Sequence, residues 1–321
     1  MAKQFVVGVD VGGQTSKIGV VDARGDVLAQ TVIRSDVYGD DAAAFLDALA
    51  AAIKACISEA GKTAEDIRGI GVGAPNGNYY TGEVAFAPNL AWAANSAVKF
   101  SEMLTARTGG IPVSLTNDAN AAAMGEMAYG AARGMKNFIM ITLGTGVGSG
   151  IVVDGKMVYG HDGFAGELGH VNVVRNNGRP CGCGRTGCLE AYCSAIGVAR
   201  TAREWLAMSS EPSLLRDVEN VTSKDVYEAA REGDQLALRI FDYTGTLLGR
   251  TFADFVAFSA PEAIVLFGGL ARSKEFLYEP MMKAMNDNLL KIWQGKVKIV
   301  FSQLKESDAA ILGASALAWE L

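Results

Sequence analysis

The chain has 321 residues, of which 50% are hydrophobic and 20% charged, and its formal net charge is −6. This length is enough for two domains and a sizeable core, and the mildly acidic balance excludes a protein that binds nucleic acid through clustered positive charge. The chain shows neither a signal-peptide pattern at its start nor an apolar run of membrane-spanning length. We therefore expect a cytoplasmic protein with no nucleic-acid partner and no membrane partner.

The first part of the chain alternates strand and helix patterns. Runs rich in β-branched residues predict three strands within residues 5–35, in FVVGVDVGG, SKIGVVDA and VLAQTVIRS. Apolar residues at helical spacing predict a helix over 41–60, and another helix is expected over 95–108. GIGVGAP (69–75) and VSLTND (113–118) read as strands, and the second leads into the helix ANAAAMGEMAYG.

The same plan then begins again. FIMITLGTGVGSGIVVDGKMV (138–158) repeats the order of strand, glycine-rich turn and strand, which predicts two related α/β halves. A long helical region follows at about 195–258. After it we predict a strand at 263–269, a helix near 274–290, a strand at 297–304 and a final helix, ESDAAILGASALAWEL. Strands that alternate with helices predict an α/β fold with mixed sheets covered by helices.

Two glycine-rich turns, DVGGQTSKIG (10–19) and LGTGVGSG (143–150), are candidate phosphate sites. Neither is a P-loop, and neither fits the dinucleotide fingerprint, because each turn runs into a strand rather than a helix. They are either structural hairpins or cradles whose backbone N–H groups bind phosphate, and two copies favour the gripping of one polyphosphate between two lobes. Asp10 would suit a magnesium-associated role, or it simply caps the first turn.

Asp118 follows a strand and opens a helix in NDANAAAMGE (117–126). As an N-cap it would stabilise the helix by about 1 kcal/mol. As a carboxylate at the carboxyl end of a strand, it could accept a proton from a substrate hydroxyl that attacks a phosphoryl group. The two roles are compatible, because only one carboxylate oxygen is needed for the cap.

One histidine and three cysteines form the pattern H-x10-C-x-C-x4-C, made of His170, Cys181, Cys183 and Cys188. Cys3His is a common ligand set of structural zinc, and the intervening glycines allow so short a loop to fold back on one ion. A disulfide is disfavoured by the spacing of the first two cysteines and by a reducing compartment. The remaining cysteines read as core residues and the other histidine as a surface residue: Cys56, Cys193 and His161.

Together these motifs resemble the ROK family of sugar kinases and repressors, which belongs to the actin/hexokinase-like ATPase group. The likeness runs through DVGG, NDANAAA, LGTGVGSGI, ELGH, CGCGRTGCLE and FGGLA, and so covers nearly the whole chain. It implies two actin/hexokinase-like (ribonuclease H-like) lobes, with mixed sheets flanked by helices and a cleft between them. Residues 1–118 with about 305–321 would form the small lobe, and 119–304 the large lobe.

The resemblance also implies roles for individual residues. Asp118 matches the catalytic base that deprotonates the sugar 6-hydroxyl. The matched sugar contacts are Asn89, Asn117, Asp118, Glu167, His170 and Glu190. The matched phosphate and adenosine contacts are Gly12, Gly13, Thr15, Gly144, Thr145, Gly146, Gly268 and Gly269. Asp10, which precedes the first turn, is grouped with them as a cofactor-binding residue. The matched zinc ligands are His170, Cys181, Cys183 and Cys188. His170 serves twice if one ring nitrogen binds metal and the other faces the sugar.

The implied activity is ATP-dependent phosphorylation of a hexose, with glucose favoured, Mg²⁺ as the partner of ATP and a structural Zn²⁺. The alternatives are a kinase for mannose or an N-acetylhexosamine, a sugar-sensing repressor, and a sugar-binding protein without catalysis. Repressors of the family carry a helix-turn-helix before the DxGG strand, whereas four residues precede Phe5 here, which argues for the kinase. The family also suggests a homodimer or homotetramer.

Two positions depart from the family pattern, and the arrangement of the predicted zinc loop has one expected consequence for sugar binding. Gln14 stands where the family usually has Thr, and Asn76 stands where many members have Gly, so the first concerns phosphate contacts and the second substrate choice. The zinc loop is expected to hold His170 on one side and Glu190 on the other, both facing the sugar. The metal is then structural, and its removal should weaken sugar binding.

Overall fold

The computed structural model describes residues 3–321, apart from the side chains at positions 306 and 307. The strands are β1 (Phe5–Val11), β2 (Thr15–Asp22), β3 (Val27–Arg34), β4 (Ile67–Gly73), β5 (Val84–Ala85), β6 (Ala97–Val98), β7 (Val113–Thr116), β8 (Phe138–Leu143), β9 (Val147–Val153), β10 (Lys156–Met157), β11 (Ala263–Phe267) and β12 (Lys298–Phe301). The helices are α1 (Ala42–Glu59), α2 (Phe100–Arg107), α3 (Asp118–Tyr129), α4 (Glu190–Cys193), α5 (Ala195–Met208), α6 (Ser223–Arg231), α7 (Gln235–Ser259), α8 (Lys274–Asn288) and α9 (Glu306–Ala318).

Two five-stranded sheets repeat one topology. The first has the order β3-β2-β1-β4-β7 and the second the order β10-β9-β8-β11-β12. In each, the leading strand pairs antiparallel with the strand after the glycine turn and parallel with the next long strand: β1 with β2 and β4, β8 with β9 and β11. This repetition confirms the predicted strand–turn–strand duplication and the α/β class.

The helices cover the faces of the two sheets. We call the first sheet with α1, α2 and α9 the small lobe, and the second sheet with α4–α8 the large lobe, while α3 lies between them. The strands at the centre of both sheets are buried almost throughout, as their continuous apolar runs require. Across residues 3–321, every helix is either too short or too polar to cross a membrane.

The final helix α9 returns to the small lobe. It packs on β1 and β4 and crosses α3. Gly8 and Gly71 allow this approach, because a Cβ at either position would overlap the carbonyl oxygen of Ile311 or Ala314. This packing supports a small lobe that is discontinuous in sequence, and the boundaries near 118 and 305 stay predictions.

Two predicted helices differ in extent. The helix expected over 95–108 is limited to Phe100–Arg107, because Ala97 and Val98 pair with β5 instead. The region at 195–258 is three helices joined by a 3₁₀ turn, Leu214–Asp217, rather than one long segment. The second and third of these helices have their own N-caps, Thr222 and Asp234, whose side chains accept backbone N–H groups and define new starts.

Candidate active site

A cleft of about 800 Å³ lies between the two sheets. It brings together most of the predicted sugar and phosphate residues, namely Asn89, Asn117, Asp118, Gly144, Thr145, Gly146, Glu167, His170, Glu190 and Gly268, with Asn76 and Cys183 also on its wall. Most of these residues come from the β7–α3 junction, the β8–β9 turn, the segment from Glu167 to Glu190 and the end of β11, while Asn76 and Asn89 come from loops on either side of β5. The carboxyl ends of the central strands of both lobes therefore point into one space, where open α/β folds bind ligands.

Asp118 is the first residue of α3, and its neighbour is the cap. The Asn117 side chain accepts the N–H of Ala119 at 2.8 Å from an extended backbone, whereas Asp118 Oδ1 reaches the same N–H at 2.9 Å. Of the two roles considered for Asp118, that of N-cap belongs to Asn117, because the chain turns helical at Asp118 itself. Burial raises the pKa of Asp118, and the Ala119 N–H partly opposes that rise.

Asp10 is the last residue but one of β1 and lies close to Asp118. The two carboxylates border a second cavity of about 240 Å³ beside the cleft. Burial, and next the negative charge of Asp118, raise the pKa of Asp10 to about 6, while Lys17 acts in the opposite direction. The two neighbouring carboxylates concentrate negative charge beside this cavity, and a bound cation or proton would neutralise that charge.

Glu167 precedes the short 3₁₀ helix Leu168–His170, and His170 is the last residue of that helix. The Ser149 hydroxyl donates to the Gly166 carbonyl and accepts the Leu168 N–H at 3.0 Å, so it holds the peptide on both sides of Glu167. Glu167 Oε2 lies 3.9 Å from His170 Nε2. Burial raises the pKa of Glu167, and the neighbouring His170 partly opposes this. Both side chains face the cleft.

The predicted zinc ligands form one group. The ligand atoms of His170, Cys181, Cys183 and Cys188 all lie within 4.8 Å of one another. The Sγ atoms of Cys183 and Cys188 are 3.7 Å apart, and Cys181 Sγ is 3.7 Å from His170 Nδ1. Zinc bonds of about 2.1–2.3 Å in a tetrahedron separate neighbouring ligand atoms by about 3.5–3.8 Å. The two 3.7 Å separations match that spacing, and His170 Nε2, on the other side of the ring from Cys181, faces Glu167.

The other thiols and the second histidine lie where the sequence predicts. All five cysteines are free, so none is used in a disulfide. Cys56 and Cys193 are buried in the cores of their lobes, and burial raises the pKa of both thiols. His161 is exposed.

Glu190 connects the cysteine loop to the second glycine turn. It starts α4, and its Oε2 accepts the Val147 N–H at 2.9 Å while its Oε1 lies 3.5 Å from Cys181 Sγ. Gly146 sits directly against the carboxylate, and a Cβ there would overlap Oε2. One carboxylate thus contacts the candidate metal loop, the candidate phosphate turn and the cleft.

The remaining candidate phosphate and adenosine residues lie in two regions, the first glycine turn and the end of β11. Gly12, Gly13 and Thr15 are not among the described residues that line the 800 Å³ cleft, although a Cβ on Gly13 would come 2.5 Å from the Asn89 carbonyl oxygen. Gly268 has a φ of +104°, lies against the Leu143 backbone and also borders a cavity of about 340 Å³ beyond the cleft. Gly269, next in the chain, begins a 3₁₀ turn that ends at Ser273.

Two structural features of the site were not predicted from the sequence: the hydrogen bonds of Ser149 and the backbone conformation of Asn76. Ser149 belongs to LGTGVGSG, and a hydroxyl placed among glycines on a strand was the available signal for its role at Glu167. Asn76 has a φ of +53°, a conformation in which Gly is favoured and Asn is tolerated, so its backbone explains why Gly often stands there. Its amide donates to the Ala85 and Phe86 carbonyls at 3.1 and 2.9 Å.

Comparisons with known proteins agree with this arrangement. The ROK family model matches residues 6–320. A glucokinase from Halalkalibacterium halodurans is 38% identical over 285 residues, which cover 88% of this chain and 85% of that protein. A glucokinase from Thermotoga maritima is 36% identical over 321 residues, which cover 99% of this chain and 98% of that protein.

A solved structure shares the architecture. The ROK family glucokinase from Streptomyces griseus, in complex with glucose and AMPPNP, is 32% identical and superposes with a TM-score of 0.79. The match covers 99% of this chain and 100% of that chain. The predicted two-lobed, actin/hexokinase-like α/β fold is therefore confirmed, and the chain belongs to the ROK family.

Proposed function

We propose that the protein is an ATP-dependent hexokinase of the glucokinase type, which converts glucose to glucose 6-phosphate. Glucokinase relatives at 33–38% identity over most of the chain support this activity. The observation that carries the proposal is Asp118, a carboxylate on the wall of the cleft that is also lined by Glu167, His170 and Glu190.

In the proposed step, the Asp118 carboxylate takes the proton of the sugar 6-hydroxyl as that oxygen attacks the γ-phosphorus of ATP. The new O–P bond forms while the bond from the γ-phosphorus to the bridging oxygen breaks, and ADP leaves with that oxygen. The raised pKa of Asp118 makes its carboxylate a stronger proton acceptor than an ordinary aspartate. Mg²⁺ bound with ATP supplies charge neutralisation, and Asp10 is the carboxylate proposed to associate with it.

The sugar is proposed to bind through the polar groups of the cleft: Asn89, Asn117, Asp118, Glu167, His170 and Glu190. Carboxylates accept from sugar hydroxyls, and the amides and the imidazole Nε2 can donate. Mannose and the N-acetylhexosamines present the same chemistry with different stereochemistry or an added group. A coupled ADP-release assay across glucose, mannose and N-acetylhexosamines tests the choice, and we expect the highest kcat/KM with glucose.

The phosphate contacts are proposed to come from both glycine turns. Gly144, Thr145 and Gly146 line the cleft, and Gly268 follows on the side of the 340 Å³ cavity that suits an adenosine group. We assign Gly12, Gly13 and Thr15 to the terminal phosphate and Gly269 to the adenosine, as the family motifs imply. ATP would then span the two lobes.

We also propose that His170, Cys181, Cys183 and Cys188 hold one structural Zn²⁺, and the close grouping of their ligand atoms supports this. Such an ion folds the loop rather than taking part in the reaction, and its absence should leave His170 and Glu190 less well placed. Metal analysis should find about one zinc per chain. After chelation, calorimetry on folded protein should show weaker glucose binding, and an unchanged glucose Kd would contradict the positioning role.

Asp118→Asn tests the catalytic assignment directly. The variant should still bind glucose, because the amide keeps the shape of the side chain, but its kcat should fall by roughly 10³-fold. Asp242→Asn, which removes an exposed carboxylate on α7, is the matched control and should keep wild-type turnover. Near-wild-type kcat in Asp118→Asn would remove this residue from the mechanism.

The homodimer or homotetramer implied by the family is part of the proposal. Light scattering on the purified protein would measure the mass of the assembly. The cytoplasmic location stays a prediction from the sequence.

A further inference from the structure

A loop of the small lobe grips a loop of the large lobe beside the cleft. The small-lobe loop joins β4 to β5, and the large-lobe loop spans residues 158–166, between β10 and Glu167. We call their contact the strap, and it consists of Asn78, Tyr79 and Tyr80 on one side and Tyr159, Gly160 and Asp162 on the other. Neither loop is part of the sugar-contact set described above, yet each leads directly into it.

Asn78 lies at the centre of the strap and is 5% exposed. Its Nδ2 donates to the Asp162 carbonyl at 2.6 Å, across the lobes. Its Oδ1 accepts the N–H groups of Tyr80 and Thr81 at 2.9 and 3.2 Å, within its own loop. Gly163 makes room for it, since a Cβ at that position would come 2.6 Å from the amide. The two polar atoms of the Asn78 side chain therefore have different roles. Oδ1 stabilises the conformation of the small-lobe loop, and Nδ2 bonds that loop to the large lobe.

Aromatic side chains reinforce the joint. The rings of Tyr79 and Tyr159 are stacked with centroids 3.9 Å apart and planes 6° apart, and Tyr80 meets Tyr159 edge-on. The Tyr80 hydroxyl donates to the Gly160 carbonyl at 2.9 Å. Stacked rings and two carbonyl bonds fix both the distance and the rotation of one loop relative to the other.

On the small-lobe side, the strap continues to the catalytic junction. Ala74 donates to the Thr116 carbonyl at 3.0 Å, and a Cβ on Gly77 would come 2.5 Å from the same oxygen. Thr116 immediately precedes Asn117 and Asp118. Asn76, on the wall of the cleft, is two residues from Asn78.

On the large-lobe side, the gripped loop ends at Glu167. It is closed by a bond from the Ala165 N–H to the Tyr159 carbonyl at 3.1 Å. Ser149 then fixes the peptides on either side of Glu167. A shift at Asp162 would therefore be passed to Glu167 through a short, internally bonded segment.

We propose that Asn78 is a positioning residue that sets the distance between the sugar-binding groups of the two lobes, and so controls sugar affinity rather than ATP affinity. The inference rests on the proposed function, because it assumes that Asn117, Asp118 and Glu167 bind one sugar. The second glycine turn is anchored separately through Glu190 and Ala195, so loss of the strap leaves the candidate phosphate contacts of that turn in place.

Asn78→Asp separates the two ends of the side chain. A carboxylate still accepts from Tyr80 and Thr81, so the small-lobe loop keeps its shape, but the donor to Asp162 is lost and a negative oxygen faces a carbonyl. We expect the glucose KM and the glucose Kd to rise about tenfold, with the ATP KM and kcat within about threefold of wild type. The matched control is Asn286→Asp in α8, where an amide donates to the Met282 carbonyl at 3.0 Å far from the cleft. It should change neither KM.

Tyr80→Phe is the second variant, because it removes only a hydroxyl from a ring that is 58% exposed and should not endanger folding. It should raise the glucose KM about twofold in the same direction. A wild-type glucose KM in Asn78→Asp, or equal rises of both KM values, would overturn the positioning role.

The outcomes also separate this inference from the proposed function. Wild-type protein that binds glucose without phosphorylating it would contradict the kinase, and the strap would then be judged by the glucose Kd of the variants alone. Wild-type protein that binds no hexose would overturn both.

Discussion

The two glycine turns have the same strand–turn–strand topology but differ in the side chains beside them and in their hydrogen-bond partners. In the first, β1 runs through Asp10 into the turn and returns as β2; in the second, β8 runs through Thr142 and returns as β9. Asp10 and Thr142 occupy corresponding places, one paired across the sheet with Gly73 of β4 and the other with Phe267 of β11. The duplicated framework thus presents a half-buried carboxylate in one lobe and a neutral hydroxyl in the other.

The turns are also held differently. The second is fixed on several sides: Val147 donates to Glu190, Ala195 donates to the Gly144 carbonyl at 2.8 Å, and Gly148 donates to the Thr142 hydroxyl at 3.0 Å. The first receives the Ser35 N–H on the Gln14 carbonyl at 2.8 Å, while the Gln14 side chain is exposed. Two turns with the same strand–turn–strand topology therefore differ in function. The first turn places a negative charge near the cleft, and the second connects to the sugar site through Glu190.

The largest expected effect comes from removing the charge of the first turn. Asp10→Asn should lower kcat about 10³-fold, because the proposed partner of the Mg²⁺ is lost. Thr142→Ser, a change at the corresponding place in the second turn, keeps its hydroxyl and should have a much smaller effect. Equal losses in the two variants would remove the distinction between the turns.

The same substitution should stabilise the protein at neutral pH. The pKa of Asp10 is raised to about 6 in the folded state, from an ordinary value of 3.8, so the folded state favours the protonated form. That contribution is fully present below about pH 4 and is lost as the pH rises through 6. In metal-free buffer at pH 7, Asp10→Asn should therefore raise the Tm and increase the free energy of unfolding by on the order of 1–3 kcal/mol. At pH 4 the gain should be small. A lower Tm at pH 7 would contradict the sign.

An intermediate effect is expected from the second turn. In Gly146→Ala the new methyl group would overlap the Glu190 carboxylate, the mobile end of a side chain, so Glu190 should move while the fold persists. We expect kcat/KM for glucose to fall about 100-fold with little change in Tm. In Gly144→Ala no described atom lies within 4 Å of the added carbon, so the ATP KM can change while the sugar KM does not. Similar sugar KM values in the two variants would show that Glu190 does not connect turn and sugar.

The smallest effect is expected at the departure in the first turn. Gln14→Thr restores the usual family residue at an exposed position, and the Ser35 bond to the backbone carbonyl is kept. The ATP KM should change by no more than about twofold, measured at saturating glucose. A change of tenfold or more would show that residue 14 contacts the terminal phosphate directly.

Periodic and local features were predictable from the sequence. The strand–turn–strand repeat, the central strands and helices such as α1 follow from apolar patterns that each segment carries by itself. The Cys3His group was predictable because its ligands lie close together in the chain. Asn117 shows the limit, since two adjacent residues with similar capping preference cannot be ranked without the backbone.

Long-range contacts were not predictable. Nothing in GNYYTG indicates that Asn78 donates to Asp162 on the other lobe, because the contact depends on how the two sheets are placed. The positive φ of Asn76 and the bonds of Ser149 on either side of Glu167 likewise follow from loop geometry rather than composition. The sequence identified which residues carry chemistry, and the tertiary structure was needed to find those that hold them in place.

The return of α9 to the small lobe has a consequence for synthesis on the ribosome. The first sheet leaves the exit tunnel early, but the helix that covers β1 and β4 emerges only after every strand of both sheets has been made. Until then, one apolar face of that sheet has no permanent cover, whereas the large-lobe core between Phe138 and Phe301 can close first. Nascent chains stalled before α9 should accordingly bind chaperones at their N-terminal sheet and lose that interaction once residues 306–318 are free.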